Sequence, residues 1–130
     1  MSYVIEEAEK LNPEKIIEAG ASDMPLNDES FLFNYPEYNL DKVPYNFKDK
    51  QFDLFIALQV WEHLDNQSEA FREIMRVSKN AILSFPYKWK HGDKRHRGID
   101  KVKIKQWTCG IEPVKVKLIK DRIVYVWRFK

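Results

Sequence analysis

The residues in this 130-residue chain best suited to acid–base or ligand chemistry are three histidines, His63, His91 and His96, and one cysteine, Cys109. Histidine titrates near neutrality, so it is the side chain that most readily takes a proton from a reacting group. His63 lies just behind the apolar run Phe52 to Leu58 and is the candidate general base. His91 and His96 stand five apart, and with Cys109 they make no recognised zinc spacing, so no metal site is expected. Both fall in the segment from Tyr87 to Asp100, which also holds Trp89, two glycines and a dense set of lysines and arginines. Such a segment can stack on a ligand and hold an anionic small molecule, or a nucleic-acid backbone, by charge.

Several elements must position these residues. Ser2 can cap a helix in which Val4, Ile5, Ala8 and Leu11 share one face, and Pro13 ends it. Lys15 to Gly20 reads as a short buried strand running into a turn. Residues 21–30 are polar and read as loop, and Phe31-Leu32-Phe33 as a short strand. Tyr35 to Asp49, with two prolines and several Asn and Asp residues, reads as extended chain and turns. Phe52 to Leu58 has the near-continuous apolar character of a strand buried on both faces of a parallel sheet. Asn66 and Glu69 suit a capping box for a helix over 67–79, with Ala70, Phe71, Ile74, Met75 and Val77 inward. Ala81 to Phe85 is a second buried strand ended by Pro86, and Asp100 can cap a short helix to Trp107. Val114 to Ile119 and Ile123 to Phe129 alternate across a short turn, the spacing of an antiparallel hairpin. Strands alternating with helices predict an α/β sandwich with a mainly parallel sheet.

Length and composition bound the reading. One core fits a chain of this size, so a single domain over 1–130 is expected. A hydrophobic share of 44% and a charged share of 32% suit a globular domain. No apolar run approaches the roughly 20 residues that span a bilayer. Residues 1–10 carry three glutamates and no apolar signal core. With a single cysteine, this leads to the expectation of a cytoplasmic protein. The net charge of +2 conceals a split: residues 1–75 hold sixteen acidic and six basic side chains, residues 76–130 four and sixteen. That asymmetry predicts contact between the halves or a functional basic face.

The segment Phe52-Asp53-Leu54-Phe55-Ile56-Ala57-Leu58-Gln59-Val60-Trp61-Glu62-His63-Leu64 resembles the fourth strand of class I S-adenosylmethionine-dependent methyltransferases and the turn behind it. In that family an aromatic-Asp pair opens a buried strand and Glu-His-Leu follows. Phe71 to Val77 resembles the family's next helix, Ala81 to Tyr87 its fifth strand, and the closing hairpin its terminal antiparallel pair. The resemblance covers about residues 45–130. It implies an α/β, Rossmann-like methyltransferase sandwich with a mixed, mainly parallel sheet, a C-terminal antiparallel hairpin and a shortened N-terminal half.

The resemblance also implies a cofactor, S-adenosylmethionine. Glu18 and Gly20 would stand at its amino-acid end, Asp41 at its ribose hydroxyls, and Leu58, Gln59 and Trp61 along its side. His63 would be the base if the acceptor must lose a proton. Tyr87, Trp89, His91 and His96 would face the acceptor. The first half departs from the family pattern, because Ser22 and Met24 stand where further glycines belong. The family fits a helix, a strand, a helix and a strand between the positions of Gly20 and Phe52. Only 31 residues intervene here, and one βαβ unit alone takes about 30. At least one helix is therefore expected to be missing.

The leading expectation is a methyltransferase acting on a small-molecule or carbohydrate-type acceptor, with the basic segment 88–105 suited to an anionic one. A second reading is a degenerate member of the fold acting as a binding or assembly partner, with a homodimer formed through an exposed sheet edge. A third is a nucleic-acid-binding module using residues 88–105.

Overall fold

A computed structural model of the chain describes residues 2–11, 13–19, 30–33, 39–58, 64–86, 106, 108, 110–119 and 122–129. Helix α1 spans Ser2–Leu11, followed by β1 (Ile16–Ala19), β2 (Phe31–Phe33) and β3 (Phe52–Leu58). Helix α2 (Gln67–Val77) then leads to β4 (Ser78–Pro86), β5 (Lys115–Ile119) and β6 (Arg122–Arg128). The six strands form one sheet in the order β2-β1-β3-β4-β6-β5. β2, β1, β3 and β4 run parallel, while β6 is antiparallel to both β4 and β5. The expected mixed, mainly parallel sheet with a closing hairpin is thus observed.

Among the described residues, each face of the sheet carries one helix. On one face Val4 of α1, with Ala8 and Leu11 beside it, packs on Ile16, Leu54, Ile56, Ile82, Val124 and Val126. Ile5 was expected on this face but is exposed. It lies one residue, about 100°, round the helix from Val4, and Glu7 takes the inward place instead. α1 starts at Ser2 itself, so Ser2 is its first residue rather than a preceding cap. Glu7 is buried and accepts from Lys115 of β5 at 3.0 Å and from Lys10 at 3.3 Å. Burial raises the Glu7 pKa, but the two ammonium groups prevail and hold it below the ordinary glutamate value.

On the other face Ala70, Phe71, Ile74 and Val77 of α2 pack on Phe55, Ala57, Ala81, Leu83, Tyr125 and Trp127. Phe71 meets Trp127 edge to face at 5.0 Å between centroids. Beyond α2, a cluster of aromatic side chains covers the β2 end of this face. Phe33 lies 5.2 Å from Tyr45, Phe47 lies 5.0 Å from Phe52, and Phe31 lies 5.4 Å from Phe47. The described residues between β2 and β3 form neither helix nor strand. The loop 39–51 supplies large rings there in place of helical packing.

Both ends of α2 differ from expectation. α2 ends at Val77 rather than Lys79, because Ser78 is already extended and pairs with Phe52, so no loop separates α2 from β4. The capping box does not form, since Asn66 makes no side-chain cap hydrogen bond. Its side chain instead donates to the Asp41 carbonyl at 3.4 Å. The short helix expected from Asp100 to Trp107 lies outside the described residues except at Gln106.

Candidate functional site

Strand order fixes where a ligand can sit. From β1 the chain moves to one side to make β2, then crosses to the other side to make β3. The connections therefore leave the sheet in opposite directions at the carboxyl ends of β1 and β3. In open α/β sheets that divergence opens the crevice in which ligands bind. Here the crevice is flanked by Glu18 and Ala19 of β1, in register with Ile56 and Ala57 of β3.

Glu18 is 2% exposed and lies between Leu32 and Ile56 in the sheet. Ala19 follows it on the opposite face, and its small side chain leaves little bulk at the end of the strand. Leu58 closes β3, half-buried beside the apolar cluster of the α1 face. Glu18 and Leu58 thus flank the crevice from neighbouring strands. Gly20, Gln59, Trp61 and His63 lie outside the described residues, as do Tyr87, Trp89, His91 and His96.

Asp41 stands further along the same edge. Its carboxylate Oδ1 accepts from the Asp65 N–H at 3.0 Å and the Asn66 N–H at 2.9 Å, and Oδ2 accepts from the Asp65 N–H at 3.1 Å. Asp41 therefore reaches the turn that enters α2, directly after the segment 59–63. Its own N–H donates to Asn39 Oδ1 at 2.9 Å, the closed Asx turn that such a spacing favours.

The structure brings two further polar side chains to this edge that sequence reasoning did not single out. Ser84 of β4 is buried and is in register with Leu58. Arg122 opens β6 opposite Pro86, and its Nη2 lies 3.4 Å from Ser84 Oγ. The signal was the period of two in the hairpin, which places both on the α1 face once the β4–β6 register is known. Among the described residues no group of three His, Cys, Asp or Glu side chains is placed to hold a metal ion.

The aspartate of the Phe52-Asp53 pair lies at the opposite edge. Its Oδ2 accepts from the backbone N–H groups of Glu14 and Lys15, each at 2.9 Å, and its Oδ1 meets Lys79 Nζ at 3.3 Å. The Lys15 N–H contributes most to holding the Asp53 carboxyl below its ordinary pKa. This aspartate ties the entry of β1 to β3 and faces away from the crevice.

The sheet order, the divergence at β1 and β3 and the C-terminal hairpin define the Rossmann-like fold of class I S-adenosylmethionine-dependent methyltransferases. Residues 33–81 match the family model described as a methyltransferase domain. A Clostridium acetobutylicum S-adenosylmethionine-dependent methyltransferase has a similar fold, with a TM-score of 0.68 and 12% identity over 98% of this chain and 89% of that chain. The N-terminal domain of EvdMO1, crystallised in the presence of SAH and D-fucose, is similar at TM-score 0.64 and 12% identity over 98% and 82%. So is a chain from the complex between the Haloferax volcanii Trm112 methyltransferase activator and a methyltransferase, at TM-score 0.64 and 10% identity over 88% and 81%. No curated protein sequence matches the chain. No helix among the described residues is long and apolar enough to cross a membrane.

Proposed function

We propose that the protein is an S-adenosylmethionine-dependent methyltransferase acting on a small-molecule or carbohydrate-type acceptor. The observation that carries this reading is the divergence of the strand order at the carboxyl ends of β1 and β3, in a sheet of methyltransferase order. The crystals of the EvdMO1 domain with SAH, one of them also with D-fucose, support the cofactor and the acceptor class by analogy.

The described residues fit the cofactor's demands. Ala19 permits close approach of backbone at the end of β1, and Leu58 offers apolar surface at the end of β3. Glu18, Gly20, Leu58, Gln59 and Trp61 would hold it there. When bound, the cofactor supplies an electrophilic methyl carbon on a sulfonium. The work left to the protein is mostly to align the acceptor for in-line attack and to exclude water. His63 would take a proton from an acceptor hydroxyl or amine, and Tyr87, Trp89, His91 and His96 would face that acceptor. The basic residues of 88–105 would favour an anionic acceptor. Isothermal titration with S-adenosylmethionine and with S-adenosylhomocysteine tests the reading. Heat of binding at micromolar protein is expected, and none at high protein concentration would sink it.

A second reading, a protein partner of this fold, draws on the sheet edges. β5 is an edge strand, and its Val116 and Leu118 are both exposed on the face that carries α2. An edge with apolar side chains invites pairing with another chain. The similar Haloferax fold comes from a complex with an activator protein. Light scattering tests self-association through such an edge: a monomer at all accessible concentrations would remove the homodimer. A nucleic-acid role for residues 88–105 would show binding that falls steeply with salt.

A further inference from the structure

We infer that Asp41 is a positioning residue: it fixes the turn 64–66 that enters α2 at the carboxyl edge of the sheet. Asn66 makes no side-chain cap hydrogen bond there. The turn is held instead by Asp41, whose carboxylate collects the Asp65 and Asn66 N–H groups from 24 and 25 residues away in sequence. A carboxylate at the start of a helix is also favoured by the helix dipole.

Asp41 is itself held from the far end of α2. The Tyr45 hydroxyl donates to the Leu40 carbonyl at 2.8 Å, and the Tyr45 N–H donates to Glu73 Oε1 at 2.7 Å. Glu73 in turn is gripped by Arg76 in the last turn. The loop 39–49 thus embraces α2, with Glu73 and Arg76 at one end and Asp65 and Asn66 at the other. With the carboxylate oxygens turned onto backbone N–H groups, Asp41 acts on a ligand at the crevice through the turn rather than by direct contact.

The test combines amide hydrogen exchange with binding of S-adenosylhomocysteine, and only the binding part rests on the methyltransferase reading. In Asp41→Ala the Asp65 and Asn66 amides are expected to exchange about tenfold faster, the scale of a lost helix cap. The amides of Ile82 and Leu83 in β4 should not change. S-adenosylhomocysteine affinity should fall by about the same factor, and Asp41→Asn, which keeps one acceptor oxygen, should recover most of both. If Asp41→Ala does not fold, Asp41→Asn compared with the unaltered protein decides the matter, with a smaller change of the same sign. Unchanged exchange at Asp65 and Asn66 overturns the inference, as does weakened binding without faster exchange, which would mean direct contact with the ligand. Faster exchange with full affinity overturns the functional half. If the unaltered protein itself fails to bind S-adenosylhomocysteine, the methyltransferase reading falls, and the exchange rates still decide whether Asp41 holds the turn.

Discussion

The Arg76 guanidinium grips Glu73 through two nitrogens, Nε to Oε2 at 2.7 Å and Nη2 to Oε1 at 2.8 Å. The same planar head donates to the carbonyls of Tyr45 at 2.9 Å and Phe47 at 2.8 Å, and to Asp49 Oδ1 at 2.8 Å. One side chain therefore fastens the loop 39–51 to α2, where no helix among the described residues packs beside the sheet. A lysine cannot present this fork. Arg76→Lys is expected to cost about 2 kcal/mol, the scale of a lost charge-assisted hydrogen bond with its carbonyl partners left short. Urea unfolding of the two proteins measures it, and an unchanged midpoint would refute the role.

Lys50 sits at φ 53°, a backbone region that glycine enters without steric cost. Its Nζ donates to the carbonyls of Met75 at 2.6 Å and Ser78 at 2.9 Å, satisfying the end of α2. Lys50→Met keeps the backbone strain and loses both bonds. Lys50→Gly loses the bonds but relieves the strain, so it should be the more stable variant by about 1 kcal/mol. Thermal unfolding of the pair gives the order, and the reverse order would refute it.

Acid should loosen the same seams. The Glu73 carboxyl is held below its ordinary value first by Arg76 and then by the Tyr45 N–H, and Asp53 first by the Lys15 N–H. A depressed folded pKa means stability that is full above the unfolded carboxylate value and lost as pH falls through the folded one. The melting temperature should hold between neutrality and about pH 5, then drop below about pH 4. Asp53→Asn should start less stable at pH 7 and show a shallower drop. A melting temperature independent of pH down to 3 would contradict both assignments.

Phe71 and Trp127 are the packing centre of the α2 face, both essentially inaccessible to solvent. Phe71→Ala is expected to cost about 3–5 kcal/mol, the range for a large ring removed from a core. Leu118→Ala on the exposed edge strand should change monomer stability by less than about 0.5 kcal/mol. Denaturant titration distinguishes them.

His63 carries the proposed proton transfer. His63→Gln should reduce turnover by about a hundredfold or more with an acceptor that must lose a proton, while affinity for S-adenosylhomocysteine stays within about twofold. Equal loss of binding and turnover would assign His63 to the cofactor site or to the fold.

The sequence by itself determined the sheet's second half. The apolar runs Phe52 to Leu58 and Ala81 to Phe85, too short for buried helices and rich in strand formers, read as buried strands. The alternation on either side of Lys120 reads as a hairpin. The resemblance at Phe52 to Leu64 named the fold, which the strand order bears out. Only the tertiary structure decided what the polar residues do, because their partners are remote in sequence. Asp53 reads as part of a family signature, yet it braces backbone 38 and 39 residues away at the edge opposite the crevice. Asn66 reads as a cap, yet the carboxylate that meets the turn comes from Asp41. Hydrophobic periodicity is local and survives in the sequence. A carboxylate's hydrogen-bond partners are chosen by three-dimensional proximity, and no spacing along the chain encodes them.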